Sequence, residues 1–201
     1  MTTAAPGTSV PTVLHLRRGG TSVVARVDDQ VLPCVLHWGP DLGDLPRPAL
    51  ESLGTALTPP YVDSTISSQA AVALLPQHSS GWLGRPGLLG SRAGGASWSV
   101  SFDSVEHAVE EAGSSTWADG PAGAVRLRSV GIDRPSALEV RTELELHPSG
   151  LVRVRAQVTN VGADDYEVAH LLPGLPVPAQ ARELLDMTGR HTHERTPQRR
   201  P

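Results

Sequence analysis

The sequence predicts an all-β fold, an antiparallel β-sandwich of the supersandwich type, and three observations carry that prediction. Two adjacent runs alternate apolar and polar residues with a period of two. In the first, Leu138, Val140, Leu144 and Leu146 alternate with Glu139, Arg141, Glu143 and Glu145. After a turn at His147–Gly150, Val152, Val154, Ala156 and Val158 alternate with Arg153, Arg155, Gln157 and Thr159. One apolar face and one polar face on each run define a half-buried antiparallel hairpin. The 20 Gly and 18 Pro punctuate the chain into short segments, which favours strands over long helices. Finally, 201 residues with 39% apolar content suffice for one sizeable core, and β-sandwiches of this length are commonly single domains.

The remaining elements follow in order. Residues 1–11 read as a loose leader and residues 12–201 as one β-sandwich domain. Thr12–Leu16 and Thr21–Val27 are β-rich runs joined at Arg17–Gly20, and Asp28–Gln30 turns the chain into a third strand over Val31–Trp38. Gly39–Pro60 reads as loop with one short helical turn near Leu50, and Ser67–Leu75 is a further apolar run. From Gln77 to Gly95 the glycines permit left-handed backbone and point to a long irregular loop, the kind of segment that carries function. Ser97–Phe102 resumes a strand. Val105–Ala112 has helical spacing in strand-like surroundings and is assigned to strand, and Ala124–Val130 is another. On the hairpin, Glu on one strand faces Arg on the other across a solvated surface, each pair contributing roughly 0.2–1 kcal/mol.

Charge and composition exclude several classes. The net charge of -4 leaves no basic footprint for nucleic acid or for an anionic membrane. All 17 basic residues are Arg, which fits a GC-rich genome. The single Cys34 has no internal disulfide partner and suits a small buried hydrophobe. Met1–Val10 lacks the features of a secretory signal, no run is long enough to span a bilayer, and the expected compartment is the cytoplasm.

Few residues announce chemistry. Ser, His and Asp are present without a Gly-x-Ser-x-Gly elbow. His191 and His193, followed by Glu194, fall short of the three or four convergent ligands zinc requires, so no metal is expected. Asp41, Asp44 and Asp63 lie in Pro/Gly loops, where carboxylates usually form turns, and their spacing identifies no glycosidase pair. Of the 4 Trp residues, Trp38 and Trp98 read as strand positions in the core. Trp82, between Gly81 and Gly84, offers a flat apolar face for a sugar ring, with Arg85 and Arg92 as hydroxyl donors. Equally, Trp82 could hold its loop against the sandwich.

The order of several segments resembles the start of family 36 glycoside hydrolases, the bacterial α-galactosidases. They are Leu36-His37-Trp38-Gly39, Leu75-Pro76-Gln77, Gly81–Leu88 with Arg92, Val158-Thr159-Asn160, and Leu175–Pro178 running through Glu183–Arg190 to Glu194-Arg195 and Pro197–Arg199. The resemblance implies an N-terminal β-sandwich followed by a (β/α)8 barrel and a small C-terminal β domain. It implies removal of terminal α-linked galactose from oligosaccharides with retention of configuration and no cofactor. Both catalytic aspartates belong to the barrel, so no catalytic residue is expected here, and the sandwich itself is expected to be incomplete at its C-terminal end. The family implies assembly into tetramers in which N-terminal loops approach a neighbour's active site. Relatives carry Asp-Phe-Arg where this chain has Arg85-Pro86-Gly87. The competing reading is a free-standing, non-catalytic carbohydrate-binding or interaction module.

Overall fold

Gly19 and Gly20, with φ of 56° and 76°, close the tight turn between β1 (Thr12–Arg18) and β2 (Thr21–Val27). Two consecutive residues at positive φ match the twist of an antiparallel hairpin, and glycine adopts them without a Cβ penalty. The structure is a computed structural model and describes residues 11–58, 72–111, 123–178 and 180–201. Strand β1 runs two residues further than its β-rich core suggests, because the glycines alone make the turn. β3 (Cys34–Pro40) completes a three-stranded sheet in the order β1-β2-β3, starting after Pro33 rather than at Val31.

The Gly39–Pro60 loop contains a full helix, α1 (Arg47–Leu57), in place of the single turn expected near Leu50. Its prolines explain the difference. Pro46 sits at the N-cap and Pro48 in the first turn, where the missing N–H has no helical partner to lose, so these prolines start a helix instead of breaking one. The helix lies on β1: Gly54 is its buried residue, and a Cβ there would sit 2.5 Å from Val13 Cγ2.

A four-stranded antiparallel sheet, β5-β6-β7-β8, forms the second layer from β5 (Ser104–Glu111), β6 (Val125–Asp133), β7 (Leu138–Leu146) and β8 (Val152–Asn160). The alternating hairpin is present as expected, with Leu138 opposite Asn160 and Leu146 opposite Val152. Val105–Ala112 lies on strand β5 through Glu111. β4 (Leu88–Ser91) falls inside the segment expected to be an irregular loop and pairs with β9 (Glu167–Leu171). Ser97–Phe102 is not a strand. Gly94, Gly95 and Ser97 all have positive φ, and the extended ladder resumes only at Ser104. Of the Ser67–Leu75 run, the described part contributes one bridge, Ala73 to Cys34. β10 (Leu184–Arg190) and β11 (His193–Arg200) form a separate two-stranded hairpin.

Two apolar clusters lie between the layers. The first joins Leu16, Val23, Ala25 and Val35 of the three-stranded sheet to Leu127, Leu144 and Leu146 of the four-stranded one. The second gathers Leu32, Cys34, Leu75, Leu88 and Val100 against Val105, Leu138 and Val140. The molecule is thus an all-β sandwich whose second core supports the loop that begins at Gln77.

Candidate functional site

Gln77, 4% exposed, anchors the start of this loop. Its carbonyl accepts from the backbone N–H of Ser80 and of Trp82, closing a short 3-10 turn over His78–Ser80 that ends at left-handed Gly81. The Gly87 N–H then donates to Pro76 O (2.7 Å), so the segment leaves and rejoins the core at one place before entering β4. Loops closed in this way present their tips on rigid supports.

Trp82 is half-buried, and its indole N–H donates to the Arg85 carbonyl (2.9 Å). Its ring lies against Gly84, where a Cβ would come within 2.9 Å of three ring atoms. Trp82 therefore braces its own loop tip through one edge while part of its surface faces solvent. Leu83, 78% exposed, and Arg85 project outward beside it. His170 Nε2 donates to the Pro86 carbonyl (2.8 Å), tying the loop to β9.

Arg92, the second arginine of the segment, is drawn into hydrogen bonds with the protein itself. Its guanidinium reaches Ser136 O (2.7 Å), Asn160 Oδ1 (2.8 Å) and the carbonyls of Asp164 and Asp165, and it lies 5.7 Å from the centre of the Tyr166 ring. Turning toward three chain segments, it clamps the ends of β4, β7 and β8 together. These carbonyls and the Asn160 side chain occupy much of the donor set of the guanidinium.

Trp98, expected in the core, is 58% exposed because Ser97–Phe102 is not a strand. Trp38 is half-buried against the first core cluster, and its indole N–H donates to Pro176 O (2.7 Å). Asp63 and Trp117 lie outside the described residues.

The remaining polar candidates resolve into structural arrangements. Ser22, His15 and Asp41 do meet, but with the wrong wiring for nucleophilic catalysis. Ser22 is fully buried; its hydroxyl donates to Asp41 (3.0 Å) and accepts from the Leu42 N–H and from His15 Nε2 (2.8 Å). In a working triad the carboxylate orients the far nitrogen of the histidine and leaves the hydroxyl aimed at substrate. Burial lowers the His15 pKa, and the nearby Arg17 lowers it further. Arg17 grips Asp41 with two hydrogen bonds and also pairs with Asp44, holding the Asp41 carboxyl far below the usual carboxylate range. The loop aspartates thus work as turn anchors. His191 and His193 flank the exposed β10–β11 turn, and among the described residues no group of His, Cys, Asp and Glu could hold a metal ion. A groove of about 990 Å³ between α1 and β1–β2, lined by Val13, Arg26, Leu50 and Gly54 among others, shares no residue with the Trp82 loop.

Residues 31–201 match the model of the Glycosyl hydrolase family 36 N-terminal domain. The chain belongs to this family. The family 36 domain is 27% identical, over 145 residues, to an alpha-galactosidase of Escherichia coli, a stretch that covers 72% of this chain and 18% of that relative. Its fold is also that of a GH36 alpha-galactosidase from Geobacillus stearothermophilus, solved in complex with 1-deoxygalactonojirimycin. The TM-score is 0.70 at 18% identity, with 94% of this chain and 28% of the other covered. The family 36 domain therefore spans well under a third of either relative. No helix among the described residues is long and apolar enough to cross a membrane.

Proposed function

We propose that this family 36 domain serves an α-galactosidase, supplying the scaffold and subunit contacts while another part of the enzyme hydrolyses terminal α-D-galactosyl residues of oligosaccharides. The relative that supports the substrate class is the Escherichia coli alpha-galactosidase. Within the domain, the closed Gln77–Gly87 loop with its Trp82 face and outward Arg85 forms part of the sugar pocket, Trp82 by apolar contact and Arg85 by donating to hydroxyls. Arg92, which follows β4 and binds Ser136, Asn160 and Asp164, is the second candidate donor. The observation that carries this reading is the rigid presentation of Trp82 and Arg85 on a loop closed by Pro76 and Gly87. The assembly is a homotetramer in the cytoplasm, without a cofactor.

The test uses the purified chain. It is expected to release no aglycone from an aryl α-galactoside and to bind melibiose weakly, with Arg85→Ala lowering affinity about fivefold, the worth of one hydrogen bond. Turnover above a buffer blank, or equal binding of maltose and melibiose, would overturn the proposal.

A further inference from the structure

We propose that Trp98 and His78 form a second sugar-binding feature, a stacking platform for one neutral pyranoside ring; it rests on the carbohydrate reading of the domain. Tryptophan is on average among the more buried residue types, yet Trp98 stands 58% exposed. Its presentation is built into the fold. The preceding turn is closed by the Arg92 N–H donating to Ala96 O (2.7 Å) and the Gly95 N–H donating to Arg92 O (3.0 Å). Ser97 then adopts φ of 54°, a region that a residue with a Cβ enters only when its surroundings enforce it. The Tyr166 hydroxyl donates to the Ser97 carbonyl (3.4 Å), and the Ser79 hydroxyl to Val100 O (2.5 Å), fastening the Trp98 segment on both sides.

His78 completes the platform. Its ring centre is 6.1 Å from that of Trp98 at an interplanar angle of 53°. His78 Nδ1 lies 2.9 Å from the Trp82 carbonyl. A carbonyl can only accept, so Nδ1 is the donor in this contact, and Nε2 is the ring nitrogen left to meet a hydroxyl. An indole face beside a fixed imidazole nitrogen matches a pyranose, which offers an apolar C–H face and hydroxyls at its rim. The histidine also links this platform to the Trp82 loop through the same carbonyl contact.

The experiment is a nuclear magnetic resonance titration of the full chain, following the tryptophan indole and histidine ring signals. Melibiose, maltose and cellobiose are compared with mannitol, which has no ring. The Trp98 and His78 signals are expected to shift together and saturate at millimolar sugar while Trp38 stays fixed. Trp98→Ala should abolish that saturation with the Trp38 signal unchanged, which certifies the fold, and His78→Ala should weaken binding about fivefold. Failure of every sugar to move Trp98 would overturn the platform, and a shift confined to Trp82 would do so while leaving the proposed function standing. Saturation at Trp98 that is equal for melibiose, maltose and cellobiose would uphold the platform and remove the galactoside assignment. A Trp98 signal that moves with protein concentration alone, with Trp98→Ala raising the monomer fraction in sedimentation, would assign the face to a second copy and overturn the platform.

Discussion

Glu145 sits on the face of β7 that alternation gives to solvent, yet it is 1% exposed. It lies between Arg126 on β6 and Arg153 on β8, directly opposite each in the ladder. Arg126 donates two hydrogen bonds to Glu145 Oε1 (2.9 and 2.8 Å), and Arg153 donates to Oε2 (2.5 Å). The arginine stems cover the carboxylate, so the long side chains bury the charge they pair with. Burial alone would raise the Glu145 pKa, but the hydrogen bonds from Arg126 and Arg153 outweigh it and hold the carboxyl below its ordinary value. Glu145→Ala is expected to destabilise the fold by about 3 kcal/mol, because it removes the buried carboxylate that hydrogen-bonds to both Arg126 and Arg153. Urea unfolding of this variant and of Arg126→Ala and the double variant would measure the coupling. The sign of the pH dependence follows. A depressed folded-state pKa gives stability that is complete above the ordinary glutamate value of about 4.3 and is lost as pH falls through the depressed value. Asp41 acts in the same direction. The urea midpoint should therefore fall progressively as pH drops below about 4.3, and Glu145→Gln should flatten that fall.

Among the elements, α1 shows how a local signal can be present and misread. Pro46, Pro48 and Gly54 look like loop punctuation, and in isolation a glycine costs a helix about 1 kcal/mol relative to alanine. Gly54 is kept because the helix rests on Val13 at that point. Gly54→Ala is expected to gain nothing, or to destabilise, despite its better helix propensity. In a Val13→Ala background the same change should stabilise by up to about 1 kcal/mol, as thermal unfolding of the four proteins would show. The β7–β8 hairpin is the opposite case. Its register could be read from alternation alone, because a slip of one residue would turn every apolar side chain to water. Ser97–Phe102 resembled a strand by composition, but three positive-φ residues from Gly94 to Ser97 remove it from any ladder. Trp98 was assigned to the core on the strength of that strand, so the error in the element became an error about the site.

At the scale of the molecule, the β10–β11 hairpin stands apart from both layers, with Leu184, Leu185 and Met187 each more than half exposed. Open strand edges bearing apolar side chains invite pairing between chains. The purified chain is expected to associate with rising concentration, and Met187→Lys should lower the associated fraction in sedimentation velocity; a chain that stays monomeric at every concentration would contradict this. The two cores show what each level of description decides. Alternation, turn residues and the few large apolar side chains were enough to determine an antiparallel β-sandwich and its central hairpin, because period-two burial is a local consequence of strand geometry. The segment order was enough for the family. Which polar groups meet was not legible, since it depends on contacts between residues far apart in the chain. Arg92 reaches Ser136, Asn160 and Asp164 across three segments, and Glu145 draws its arginines from two other strands. Only the tertiary structure could show the segments that Arg92 ties together and bring Trp98 out of the core. Hydrogen-bond competition and backbone strain are settled by what lies beside a residue in space, and spacing along the chain does not record that.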